Sequence, residues 1–75
     1  MNFPSRAIVD MLKERFPVGA RVELLCMEDP YTKLVPGDKG TVIGIDDAGT
    51  IHVSWDCGSS LGVAYGEDSC RIIDN

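Results

Sequence analysis

The feature that most constrains the fold is a series of short alternating segments that begins at residue 21. In the segment TIHVSW, Ile51, Val53 and Trp55 fall on one face and polar side chains on the other, which is typical of a half-buried strand. Four more segments with strand character are separated by turns rich in glycine, proline or aspartate: 21–27, 41–45, 60–65 and 70–74. The sequence therefore predicts a small antiparallel barrel, since closure removes exposed strand edges.

Residues 5–16 follow a different period. Apolar side chains recur at every fourth position, as on one face of a helix: Ile8, Leu12 and Phe16. Ser5 is a suitable N-cap, and Pro17 disfavours helical geometry at the residue before it. We therefore expect a helix that packs its apolar stripe against the sheet.

Three sequence elements carry a resemblance to a known family: EDPY at 28–31, PGDKGTV at 36–42 and WD-x-GSSLG at 55–62. Over residues 17–73 the chain resembles SH3-like small barrels, and it is similar to a family of small uncharacterised domains found in bacteria and their phages. The resemblance implies an SH3-like barrel and no established catalytic activity. We expect one α+β domain over 1–75, mainly β, with a helix at 5–16 followed by a small antiparallel SH3-like barrel of four to five strands at 20–74.

Charge is distributed unevenly along the chain. The net charge is −5, but residues 1–21 carry four cations and two acids, whereas residues 22–75 carry three cations and ten acids. The acidic body disfavours binding to phosphate backbones and favours docking onto a basic protein surface. The N-terminus is charged and lacks an apolar secretory segment, and no apolar run approaches 18 residues, so we expect a cytoplasmic protein without a membrane span.

An enzymatic function is not indicated by the residues. His52 is the only histidine, and it lies in mid-strand on the face opposite to Trp55. Nothing in the sequence places it beside a cysteine and an orienting third group, which nucleophilic catalysis requires. We expect a chain without enzymatic activity.

The three cysteines, Cys26, Cys57 and Cys70, allow three interpretations. They could be separate structural thiols, since free cysteine behaves as a small buried hydrophobe. They could bind zinc at one rim of the barrel, with Asp68 as the fourth ligand, and such a site would stabilise so small a domain. A disulfide is the least favoured, because the number is odd and disulfides are rare in the cytoplasm.

The expected function is that of an acidic protein-interaction module. The predicted partner-binding residues lie in two loops: Glu28, Asp29, Tyr31, Asp46 and Asp47. The resemblance to phage-associated domains suggests an inhibitor of the anti-CRISPR kind, which occupies the basic channel of a host nucleic-acid-handling protein. The alternatives are a nucleic-acid-binding small barrel and a metal- or redox-responsive regulatory domain.

Overall fold

The computed structural model of the chain describes residues 5–28 and 32–73. They form one helix and five strands in the order α1 (Arg6–Arg15), β1 (Arg21–Cys26), β2 (Lys39–Ile45), β3 (Thr50–Trp55), β4 (Val63–Ala64) and β5 (Ser69–Ile72). Across these two ranges, no helix is long and apolar enough to cross a membrane.

Helix α1 forms where the period of apolar residues predicts it. The Ser5 side chain accepts a hydrogen bond from the backbone N–H of Ile8, so it satisfies one of the free donors at the helix start. Phe16 is the C-cap, and its N–H donates to the carbonyl of Leu12. The apolar stripe of the helix packs into the core, with Leu12 and Phe16 buried. The predicted helix and its N-cap are confirmed.

The five strands form one antiparallel sheet in the order β4-β3-β2-β1-β5. β1 therefore pairs with β2, the next strand along the chain, and also with β5, the last of the five strands. No backbone ladder joins β4 to β5 within the described part of the chain, so the sheet is open there. The predicted α+β class, the antiparallel pairing and the number of strands are confirmed, whereas the predicted closure into a barrel is not observed.

The inner face of the sheet forms the core. Ile51, Val53 and Trp55 of β3 are all buried, as their alternation predicts, and Trp55 donates its indole N–H to the carbonyl of Leu61 at 2.7 Å. Gly40 of β2 lies so close to β3 that a Cβ atom would come within 2.6 Å of Cγ1 of Val53 and 2.8 Å of the Ser54 carbonyl oxygen. The glycine is required there because two strands approach closely on the buried face.

A β-bulge changes the direction of side chains at the end of β1. Leu24 pairs with Cys70, but the next pair is Cys26 with Ser69, so one extra residue lies on β1. Strict alternation places Cys26 on the buried face with Val22 and Leu24, yet the side chain is exposed. The bulge accounts for the difference, because an inserted residue reverses the faces beyond it.

Candidate functional site

A cleft of about 490 Å³ lies where the sheet is open. It is bounded by the last turn of α1, by β4, by β5 and by the turn between these two strands. Its floor is formed by core side chains from the helix and from strands β3 and β4: Leu12, Phe16, Ile51 and Val63. The gap between the two edge strands therefore gives access to apolar surface.

The rim of the cleft is polar. Tyr65 and Glu67 lie on the β4–β5 turn, and the Tyr65 side chain remains 48% exposed. Arg15 of α1 also lines the cleft, and its guanidinium group lies 5.6 Å from the centre of the Phe16 ring. An arginine over an aromatic face is held by a cation–π interaction. The cleft thus combines an apolar floor with charged side chains at its mouth.

Asp68 forms part of the cleft wall, and its carboxylate is hydrogen-bonded to backbone N–H groups. Its Oδ2 accepts from the N–H of Ala64 at 3.0 Å, and its Oδ1 accepts from the N–H of Glu28 at 2.8 Å. Its own N–H donates to the carbonyl of Ala64 at 2.9 Å. Both carboxylate oxygens of this predicted zinc ligand therefore fix the β4–β5 turn against the segment that follows β1.

Two of the three cysteines line the cleft. Cys26 is exposed and Cys70 is half-buried, and the register of β1 and β5 makes them near neighbours. Burial raises the pKa of the Cys70 thiol to about 11. A thiol with a raised pKa is a poor nucleophile at neutral pH, because the thiolate is the reactive form.

Cys57 lies elsewhere, in the turn after β3, next to Asp56. The cleft that Cys26 and Cys70 line does not include Cys57. Among residues 5–28 and 32–73, no three histidine, cysteine or acidic side chains are placed to hold one metal ion. All three cysteines are free thiols, and the zinc hypothesis stays a prediction.

The predicted partner-binding residues fall into two groups. Glu28 is exposed beside the cleft wall, whereas Asp29 and Tyr31 lie outside the described residues. Asp46 and Asp47 form the exposed turn between β2 and β3. The N–H of Tyr65 donates to the carbonyl of Gly49 at 3.3 Å, so this turn lies beside the cleft rim.

Asp46 has a structural role within that turn. Its Oδ1 accepts from the N–H groups of Ala48 and Thr50, each at 3.0 Å, and its Oδ2 lies 2.9 Å from Nε2 of His52. The hydrogen bond from Thr50, followed by that with His52, lowers the pKa of the Asp46 carboxyl. Asp47 has no such partner among the described residues and leaves its carboxylate available to another molecule.

Two arginines on the outer face of the sheet are neutralised by carboxylates. Arg21 donates both terminal nitrogens to Asp56, and this lowers the pKa of the Asp56 carboxyl. Arg71 of β5 donates to Oε1 of Glu23 on β1. A fixed partner reduces the ability of these arginines to contact phosphate groups.

The family assignment agrees with the outline of the fold. The family model for DUF4314, a domain of unknown function, matches residues 5–73. The chain belongs to the DUF4314 family. The match begins at the N-cap of α1 and runs to the residue after β5, so helix and sheet together make up the DUF4314 domain. The expectation of a small uncharacterised domain family is confirmed, and no curated protein matches the chain.

Sequence reasoning singled out three residues that line the cleft of this DUF4314 domain, Cys26, Asp68 and Cys70, but it missed the side chains at the cleft rim. Arg15, Tyr65 and Glu67 were not among the predicted site residues, and they come from the helix and a distant turn. The only sequence signal for this turn is YGEDS, in which Gly66 adopts a positive φ of 89°. That signal predicts a turn, but it does not predict that Arg15 of the helix lines the same cleft.

Proposed function

We propose that this chain is a non-enzymatic protein-binding module that docks its acidic side onto a basic surface of a partner. The observation that carries the proposal is the cleft beside β5, where an apolar floor meets carboxylates on a chain of net charge −5. Apolar contact supplies affinity at such a site, and charge supplies orientation and discrimination between partners.

The distribution of charge also indicates that the side of the molecule with the cleft is the docking face. Glu67 lies at the cleft rim, Glu28 lies beside the Asp68 wall, and Asp47 lies on the neighbouring turn. None of these three is in a salt bridge with another described residue, whereas Arg21 and Arg71 are each paired on the outer face. Three carboxylates without a salt bridge thus lie at or beside the cleft, which Arg15 also lines.

A charge reversal at the rim tests the proposal. Immobilised protein is used to capture a partner from a lysate, and the purified partner is then titrated against two variants, Glu67→Lys and Glu14→Lys. Both replace an exposed glutamate by lysine, but Glu14 lies on α1 and does not line the cleft. We expect Glu67→Lys to weaken binding about tenfold and Glu14→Lys to have a smaller effect, with both affinities falling as salt is added.

Two results would contradict the proposal. One is that no purified protein binds at low ionic strength. The other is that Glu67→Lys and Glu14→Lys weaken binding equally, because this would trace the effect to net charge and not to the cleft.

The more specific form of the proposal is an inhibitor that occupies the basic nucleic-acid channel of a host nuclease, in the manner of anti-CRISPR proteins. It is supported by the net charge of −7 in residues 22–75 and by the family resemblance. Such an inhibitor competes with nucleic acid, so added DNA or RNA should displace it from the nuclease. Unchanged nuclease activity at saturating inhibitor would rule out this form and leave the general proposal standing.

We also infer that the fold is a variant of the SH3-like barrel. Support comes from the pairing of β1 with both β2 and β5, which brings the first and last strands side by side. The short turn between β4 and β5 also supports this fold, because it carries the chain around the core from β4 back to the strand that pairs with β1.

A further inference from the structure

Within residues 5–28 and 32–73, no strand pairs with β5 on the side away from β1, and this edge offers a second means of contact beside the cleft. We propose that β5 accepts an extended segment of a basic partner protein by strand addition, on the side away from β1. The inference rests on the proposed function and names the contact that the partner makes. In strand addition, backbone hydrogen bonds supply affinity and alternate side chains supply specificity.

The direction of the backbone groups of β5 follows from Leu24. The N–H of Leu24 donates to the carbonyl of Asp38, and its carbonyl accepts from the N–H of Gly37, each at 2.8 Å. The backbone N–H and C=O of Leu24 therefore both point away from β5, although Leu24 lies directly opposite Cys70. The pair of Leu24 and Cys70 is a non-hydrogen-bonded pair, so the N–H and C=O of Cys70 point away from β1.

The backbone groups of Ile72 also point away from β1, because their direction alternates along the strand. The N–H of Ile73 donates to the carbonyl of Arg21 at 3.0 Å, so Ile73 faces β1. In an antiparallel ladder the direction of these groups alternates, so Arg71 also faces β1 and Ile72 faces outward. No backbone or side-chain hydrogen bond within residues 5–28 and 32–73 goes to the outward groups of Cys70 or Ile72.

The position of this edge suits an incoming strand. Ile72 lies opposite Val22 and Cys70 lies opposite Leu24, so both side chains face the core side of the sheet, and Ile72 is 41% exposed. Successive side chains of an added strand alternate between the two faces. Those on the core side would contact Ile72 and enter the cleft that Cys70 lines.

The charges favour a basic partner as the occupant. Glu67 lies in the turn that leads into β5, and Glu28 lies beside the start of β5. Arg71, the cation of β5 itself, is already paired with Glu23. A second copy of this chain also has a net charge of −5, so self-association is opposed by repulsion.

The experiment uses a synthetic peptide of about six residues in which lysine and valine alternate, and a second peptide with glutamate in place of lysine. Amide hydrogen exchange of the full chain is followed by NMR. We expect the lysine peptide to slow exchange at Cys70 and Ile72 by about tenfold or more, and the glutamate peptide to have little effect.

Two variants test the backbone contact. Ile72→Pro removes the outward N–H without touching the ladder to β1, and Ile72→Ala removes most of the side chain but keeps that N–H. Both are checked for native NMR spectra. We expect Ile72→Pro to bind the lysine peptide at least about tenfold more weakly than Ile72→Ala does.

Three results would overturn the inference. They are no binding of the lysine peptide at about 1 mM, equal binding by the two variants, or protection of Cys70 and Ile72 that rises with protein concentration in the absence of peptide. The last result identifies a second copy as the occupant. The titration of a purified partner against Glu67→Lys tests the proposed function separately. A failure of strand addition can therefore be distinguished from a failure of the proposed function.

Discussion

β4 and β5 are both edge strands, but the chain treats their outer sides differently. On β4, the N–H of Ala64 donates to Asp68, and its carbonyl accepts from the N–H groups of Glu67 and Asp68. On β5, the outward groups of Cys70 and Ile72 have no partner among the described residues. One edge is thus closed by its own turn, and the other is left for pairing.

The difference shows that an open sheet can protect one of its edges and leave the other available. Exposed edges promote association with other chains, and proteins usually block them by short strands, charges or covering loops. Here the two-residue strand β4 is blocked by a carboxylate, whereas the longer β5 carries only one charged side chain, Arg71. Selective protection of one edge is what a strand-binding site requires.

The largest effect on stability is expected from proline substitutions in β5, which remove an N–H that faces either towards β1 or away from it. Arg71→Pro removes an N–H that faces β1, so we expect a loss of about 3 kcal/mol in the free energy of unfolding. Ile72→Pro removes an N–H that faces outward, and we expect a change below about 1 kcal/mol. Urea unfolding followed by circular dichroism measures both.

The ion pair between Arg71 and Glu23 requires a control for this prediction. Arg71→Ala removes the side chain and keeps the N–H, and an exposed ion pair contributes about 1 kcal/mol at most. If Ile72→Pro destabilises the protein as much as Arg71→Pro, the assignment of inner and outer sides of β5 is wrong.

The closed edge is tested by Asp68→Ala. This change leaves the N–H groups of Ala64 and Glu28 without their acceptor, so we expect a loss of about 2 kcal/mol and faster exchange of the Ala64 amide. The neighbouring Glu67→Ala removes a carboxylate from the cleft rim, and we expect a change within about 0.5 kcal/mol. Equal losses in the two variants would show that Asp68 does not close β4.

The cysteines at the open edge provide a chemical test. Burial raises the pKa of Cys70 to about 11, so at pH 8 roughly one Cys70 in a thousand is ionised. We expect iodoacetamide to modify the exposed Cys26 and Cys57 well before Cys70, as measured by peptide mass spectrometry. Modification of Cys70 at the same rate would mean that β5 separates from β1 readily in solution.

The smallest effect is expected at the β2–β3 turn, where Asp46 also satisfies backbone donors. Its pKa is lowered in the folded state, so the charged carboxylate stabilises the fold above the unfolded pKa of about 3.9, and this contribution is lost as pH falls through the lowered value. Asp46→Asn should therefore lower the urea midpoint at pH 7 and have less effect near pH 3. Asp47→Asn is the matched control, and the same pH dependence in that variant would argue against the assignment.

Much of the fold could be predicted from local patterns. Strand β3 occupies residues 50–55 as predicted, and the turn before it contains Gly49 with a φ of 81°. The helix has the predicted apolar stripe and N-cap. These features depend on neighbours within a few positions, which the sequence displays directly.

The site could not be predicted in the same way, because it depends on contacts between distant residues. Asp68 accepts from the N–H of Glu28, which lies 40 positions earlier, and nothing local distinguishes this carboxylate from a metal ligand. The bulge after Leu24 leaves Cys26 exposed, and alternation alone does not reveal an inserted residue. The open edge itself depends on where β5 pairs, which is a property of the whole sheet.

Trp55 gives this protein an internal fluorescent reporter. It is the only tryptophan of the chain, it is 2% exposed, and its indole N–H is fixed to the Leu61 carbonyl. The emission of the native protein should lie at short wavelength and shift to the red when water reaches the ring. Because Trp55 does not line the cleft while Tyr65 does, the tryptophan signal should report unfolding with little interference from a ligand, without any added dye.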